Sequence, residues 1–322
     1  VPSEYLDMLY RQARKKFLKL TQEQEKEIIK AYIQAGNDLL DRYNKTKNNT
    51  ALKSYLYEYK NALHEQILKL TKDGAYSSAE IAATVEADVL KNIAEHGNWH
   101  GVDFKSMFLN VPDDVVKRIV SGNIYKDGKG LSERVWSVAN RNGRDIQNVI
   151  NTGMINKRSA TDIAKALEGY INPDERKTWD RAKIKDTLGP GYAGQFNNLE
   201  YNALRTARTT CTHSYELGVI EGSKRNPFIE GIKWNLSQSH YSRMHGRTDS
   251  CDDYATQNSY GLGEGVFPIE EVPFDHPNGL CYQTSYISKP ISQCSDELKA
   301  WVNGADNAEL DNWYKEYGLL GD

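Results

Sequence analysis

Residues 234–286 read WNLSQSHYSRMHGRTDSCDDYATQNSYGLGEGVFPIEEVPFDHPNGLCYQTSY, and they decide how the chain is divided. Upstream, apolar residues recur every three or four positions, the spacing of amphipathic helices. At the edge of this stretch, just after Ile229, the period falls to two: Ile232, Trp234 and Leu236 alternate through GIKWNLS as in a strand with one buried face. QTSYIS, from Gln283, is a second such run and is expected to pair with it. Gly261, Gly263 and Gly265 punctuate the loop between them. The stretch also holds three of the seven His and two of the four Cys in the chain.

Working outward toward the N-terminus, Tyr5, Leu6, Leu9, Tyr10, Ala13, Phe17 and Leu20 form one helical stripe, with Arg11, Arg14, Lys15, Lys16 and Lys19 off it as a basic face. Thr21 followed by Gln24 has the form of a capping box, which predicts a second helix there, carrying Ile28, Tyr32, Leu39, Leu40 and Tyr43. A third helix over about 50–72 carries Leu52, Leu56, Tyr59, Leu63, Ile67 and Leu70, and Asp73-Gly74 is expected to stop it. A fourth is expected from Ser77 or Ser78 to His96-Gly97. After a Gly-punctuated region, helices are predicted over Pro112–Val120, from Ser132, and from a capping box at Ser159 and Asp162. The charged, then Gly-rich run 173–197 reads as an exposed insertion. One more helix covers about 198–222, and two short helices follow the opening stretch, the first expected to be capped by Ser295.

The fold expectation is therefore a mainly α protein: an N-terminal long-helix bundle followed by a smaller α+β C-terminal module. The expected divisions are 1–125, helical bundle; 126–226, helical middle region with the insertion at 173–197; and 227–322, a small α+β module with C-terminal helices.

Composition narrows the setting. Lys plus Arg (41) nearly balances Asp plus Glu (44), a formal charge of −3, so contact with nucleic acid would have to come from local patches such as Arg11 to Lys19. Four cysteines, Cys211, Cys251, Cys281 and Cys294, are too few for a disulfide framework and fit synthesis in a reducing cytoplasm. No apolar run approaches the roughly 20 residues that span a bilayer, and the first residues carry no apolar signal core.

Within the opening stretch, His240, His245, Asp249, Cys251, Asp252, Asp253, His276 and Cys281 are all of types that bind metals or move protons. Cys251, His276 and Cys281, with His240 as the fourth donor or His245 in its place, form a candidate structural zinc set. Soft sulfur and imidazole donors would staple a loop-rich segment that cannot bury much core. The tight C-x-x-C knuckle is missing, because the chain reads CDDY from Cys251 and Tyr254 stands where a second thiol would. A buried Cys and a hydrogen-bonded His in a tight turn account for the same residues without metal. A metal-dependent nuclease or hydrolase centred on residues 240–281, with His240, His245, Asp249 and His276 around a divalent cation, is the enzymatic alternative. Nothing in the spacing sets a base, a nucleophile and an anion stabiliser relative to one another, so no catalytic residue is assigned and the chain is read as a non-enzyme. The G-x-G-x-G of YGLGEGVF lacks the strand-to-helix context and the Gly-Lys-Ser/Thr of a phosphate loop, which leaves no cofactor-binding motif.

The order of these segments carries a resemblance. ALRTARTTCTHSYELGVIEGSK, then GIKWNLSQSH, then GRTDSCDDYA, then GLGEGVFPIEEVPFDHPNGLC is similar to the Mu F-like minor head proteins, also called head morphogenesis proteins, of tailed bacteriophages. That family shows an Arg-Thr helix, a Trp strand, an Asp/Arg/Cys segment and a closing Pro-His-Pro-x-x-Cys. The closing element here, His276-Pro277-Asn278-Gly279-Leu280-Cys281, is one residue longer, and Tyr254 replaces a second Cys common in the family. The match covers residues 198–286, with GLSERVW and the Ser159 helix extending it. The resemblance implies a virion component, present in few copies inside the head near the portal. It also implies a role in head assembly and in DNA packaging or ejection. The implied partners are the portal protein, the major capsid or scaffolding protein, and packaged double-stranded DNA.

Overall fold

The computed structural model describes residues 4–46, 49–97, 104–171, 183, 186–187, 189–190 and 200–318. Two long helices open it, α1 (Glu4–Thr46) and α2 (Asn49–His96). A 3₁₀ turn (Phe104–Phe108) leads into α3 (Val111–Ser121), α4 (Leu131–Ile155) and α5 (Ala160–Ile171). Helix α6 (Tyr201–Ser223) precedes strand β1 (Gly231–Asn235), the short helices α7 (His240–Arg243) and α8 (Ser250–Thr256), and strands β2 (Val266–Phe267) and β3 (Tyr282–Tyr286). Helices α9 (Ile291–Val302) and α10 (Ala308–Tyr317) close the chain. The mainly α architecture with a small C-terminal sheet agrees with the sequence expectation. Most of the expected insertion at 173–197 lies outside the described residues.

The first two helices run through both breaks that the sequence suggested. Thr21 does not cap a helix: its hydroxyl donates to the Leu18 carbonyl at 2.9 Å, and Gln24 reaches across to the Leu70 carbonyl at 3.0 Å. The buried stripe of α1 passes through Ala13, Phe17, Thr21, Gln24 and Ile28 at spacings of four and three, so the two polar residues are members of the stripe. Asp73-Gly74 does not stop α2 and neither Ser77 nor Ser78 starts a helix. Thr71 donates to the Ile67 carbonyl and Ser78 to the Gly74 carbonyl, both at 2.7 Å, so these hydroxyls bond back onto the preceding turn. Ser295 likewise lies inside α9, whose N-cap is Pro290, and donates to the Ile93 and Ile291 carbonyls. Ser159 does cap: its Oγ accepts the Asp162 amide at 3.1 Å and donates to the Asp162 carboxylate at 2.7 Å.

The chain divides into two compact units, each assembled from separated stretches. One comprises Gln22–Asp73 and Val120–Arg208; the other comprises Val1–Thr21, Gly74–Ile119 and Thr209–Asp322. The expected divisions near residues 125 and 226 presumed that each domain is one run of chain. Helices of 43 and 48 residues are long enough to serve two cores, and α1 and α2 each contribute to both units.

The unit built from Gln22–Asp73 and Val120–Arg208 is all helical among its described residues. Its core joins Ile28, Tyr32 and Leu39 of α1 with Leu56, Leu63 and Ile67 of α2, Ile146 and Val149 of α4, Leu167 and Tyr170 of α5, and Ala203 and Ala207 of α6. Each large apolar side chain buried in this way contributes about 1.5–3 kcal/mol. Buried Asn142 donates to the Tyr32 hydroxyl at 2.8 Å, which satisfies a polar pair in that core. Arg208 donates through Nε to Glu25 at 2.9 Å.

The other unit carries the sheet. β1 is central, flanked by β2 and β3 in the order β2-β1-β3, antiparallel throughout, with Ile232 opposite Phe267 and Trp234 opposite Gln283. The expected pairing of the GIKWN and QTSY runs is present, and the two-residue strand β2 was not anticipated. Helix α6 lies close against α2 here: a Cβ on Gly218 would come within 2.8 Å of the Ala82 Cβ and 3.1 Å of the Ala79 carbonyl oxygen. The small residues Ala75, Ala79, Ala82 and Ala83 supply the matching face. No described helix is long and apolar enough to cross a membrane.

Candidate metal centre

The segment after β1 turns at once. The His240 amide bonds the Ser237 carbonyl at 2.9 Å, and the single turn α7 leaves the His240 side chain buried. His245 (φ 52°) and Gly246 (φ 76°) then reverse the chain in the left-handed region. Asp249 caps α8 by accepting the Cys251 amide at 2.8 Å, while the Asp252 carboxylate accepts the Asp249 amide at 2.9 Å. Cys251 is thereby fixed in the first turn of a capped helix. Tyr254, in the place of a knuckle thiol, packs edge-on against Trp234 at 5.1 Å and against Phe267 at 6.0 Å, so the position has become part of the aromatic core.

Cys281 enters from the loop Asp275–Cys281. Asp275 turns its buried carboxylate into this loop, accepting the His276 amide at 2.8 Å and the Cys281 amide at 3.1 Å. Asn278 takes a left-handed conformation (φ 68°), and a Cβ on Gly279 would overlap the Asp275 carboxylate. Helix α6 holds the loop from outside. The Thr209 hydroxyl accepts the Asn278 amide at 3.0 Å, Glu216 accepts the Asp275 amide at 3.2 Å, and His213 Nε2 lies 2.9 Å from the Asp275 carbonyl. The loop's residues are therefore set by groups more than fifty positions away in sequence.

These elements bring three of the four expected donors together: His240, Cys251 and Cys281 are all buried, with ligand atoms within 4.8 Å of one another. His240 Nδ1 lies 3.6 Å from the Cys281 sulfur, and its Nε2 lies 3.0 Å from Asp252 Oδ2. The imidazole thus has one nitrogen toward the sulfurs and the other toward a carboxylate that orients it. His276 is placed differently from expectation. It groups with Asp249 and Cys251, its Nε2 is 3.2 Å from Asp249 Oδ2, and its side chain is 39% exposed. His245, the alternative fourth donor, sits in the exposed turn and belongs to none of the donor groups among the described residues.

The electrostatics favour one negative charge between the sulfurs. The hydrogen bond from Cys251 lowers the Cys281 thiol pKa in spite of burial, and the same bond together with burial raises that of Cys251. Burial opposes charge on His240, but the Asp252 carboxylate and the Cys281 sulfur outweigh it and raise its pKa. Burial also pushes the Asp275 and Glu216 carboxyls upward, Glu216 the more so because the Asp275 charge adds to it.

Several residues that shape this centre were not singled out from sequence. Asp275 was legible in part, since an Asp before a loop containing Pro and Gly is a turn former through its side chain. Glu216 carries no such signal, because it stands within an ordinary helical stripe. Arg14, one of the residues of the basic face, points inward: it donates to the Leu280 carbonyl and lies over the Phe17 and Tyr282 rings at 5.2 and 5.0 Å.

No family model matches the chain, and no curated protein and no solved structure is significantly similar to it.

Proposed function

We propose that this chain is a minor head protein of a tailed bacteriophage, a structural component associated with the portal, whose C-terminal module is stapled by one zinc ion held by His240, Cys251 and Cys281. The observation that supports both parts is the convergence of the four family-like segments. The Arg-Thr helix supplies Thr209, His213 and Glu216, the Trp strand leads into His240, the Asp/Arg/Cys segment supplies Cys251 and Asp252, and the closing loop supplies Asp275 and Cys281. Segments that resemble a family in their order are here the parts of one compact centre.

The donor chemistry fits zinc. A tetrahedral ion with bonds of about 2.3 Å to sulfur and about 2.0 Å to nitrogen separates those donors by roughly 3.5 Å, and the His240 nitrogen and Cys281 sulfur stand 3.6 Å apart. A closed structural tetrahedron takes four protein ligands, and His240, Cys251 and Cys281 supply three of them, all buried. Metal analysis of the purified chain is expected to find one zinc per chain, lost in Cys281→Ser. A metal-free chain with its fold intact removes the zinc. Cryo-EM of the virion is expected to place the chain inside the head near the portal, and particles that lack it remove the structural role.

The nuclease reading keeps one observation in its favour, the exposed His276 paired with Asp249, which His240 Nε2 also approaches at 3.8 Å. DNA cleavage in Mg²⁺ or Mn²⁺ that disappears in His276→Ala would favour it. The expected outcome is that neither ion supports cleavage.

A further inference from the structure

The peptide unit between Leu280 and Cys281 is held at both ends. Its N–H donates to Asp275 Oδ2 at 3.1 Å, and its carbonyl accepts from the Arg14 guanidinium, which comes from the fourth turn of α1. Arg14 is itself wedged, with its guanidinium over the ring of Phe17 on its own helix and over that of Tyr282, the residue after Cys281. Phe17 in turn packs on Tyr215 of α6 at 5.0 Å between ring centroids. A lysine in this place would lack the planar fork and the stacking face.

From this geometry we infer that Arg14 is a positioning residue for the metal ligand Cys281, so that metal occupancy and the docking of residues 4–21 of α1 are thermodynamically linked. The inference rests on the zinc reading above. A side chain can place its sulfur only as well as the peptide that carries it is placed, and groups that orient ligands typically change metal affinity 10- to 100-fold when removed. Linkage requires the reverse effect as well: a metal that orders the Leu280–Cys281 peptide must also favour the state in which Arg14 is seated.

Two measurements on the full chain test it, with zinc alone as the probe. Competition against a chromophoric chelator is expected to give at least a tenfold weaker zinc affinity for Arg14→Ala than for the parent, with Arg14→Lys recovering little of it. Hydrogen exchange of the unmutated chain, which does not depend on any variant folding, is expected to speed up in residues 4–21 when zinc is chelated, while α5 is unchanged. If the parent binds zinc, but affinity in Arg14→Ala stays within twofold and exchange in residues 4–21 ignores chelation, the linkage is overturned and the staple stands. A parent chain that binds no zinc overturns both.

Discussion

Gly279 and Glu86 show how single residues are constrained by distant neighbours. A methyl at Gly279 would collide with the Asp275 carboxylate, which already accepts two backbone amides and cannot leave without orphaning them. Gly279→Ala is expected to cost about 2 kcal/mol in urea denaturation and to weaken zinc binding, whereas Gly246→Ala, with nothing near its Cβ, carries only the strain of its positive φ. Glu86 is fully buried on α2, bonded by the Tyr10 hydroxyl at 3.1 Å and the Ser285 hydroxyl at 2.7 Å, and burial raises its carboxyl from 4.5 to about 7. The folded state therefore holds this proton more tightly than the unfolded state. The stabilisation is complete below pH 4.5 and is lost as pH rises through about 7. A shift of this size corresponds to about 3 kcal/mol. Glu86→Gln is expected to flatten the fall in stability between pH 5 and pH 8, and a decline of unchanged steepness would assign it to other groups.

Elements follow a rule that short motifs do not carry: a capping residue caps only where a helix ends. Thr21 and Ser159 look alike in sequence, each followed three residues later by a partner of the right type. Only Ser159 faces an unpaired amide; Thr21 lies where the buried stripe of α1 continues without interruption. Ser159→Ala is expected to cost about 1 kcal/mol, in keeping with a lost N-cap. Thr21→Ala is expected to cost less than about 0.5 kcal/mol, because alanine's higher helix propensity offsets the lost back-bond. Thermal or urea unfolding of the two variants side by side separates the roles. The same rule explains Asp73-Gly74, where the stop signal is overridden by burial of Ala75 and Ala79 on the face that meets Gly218.

For the whole molecule, the two units, whose segments alternate along the sequence, predict a patterned response to removal of the proposed zinc. Chelation is expected to raise hydrogen exchange in residues 4–21, 74–97 and 209–318, which belong to the unit that contains His240, Cys251 and Cys281. It is expected to leave 49–73 and 131–171 near their original rates. Uniform acceleration would mean that the chain opens as one cooperative body. By itself the sequence determined what depends on local order: the helical periodicity, the change to a period of two at Gly231, the pairing of its two strand-like runs, and the donor types gathered in residues 234–286. The tertiary structure alone decided that four expected helices are two, that His240, Cys251 and Cys281 meet while His276 turns aside to Asp249, and that Arg14 points inward to the Leu280 carbonyl. Periodicity records which face of an element is buried. Which elements share that burial depends on contacts between residues as far apart as Arg14 and Leu280, and these exist only once the chain has closed on itself.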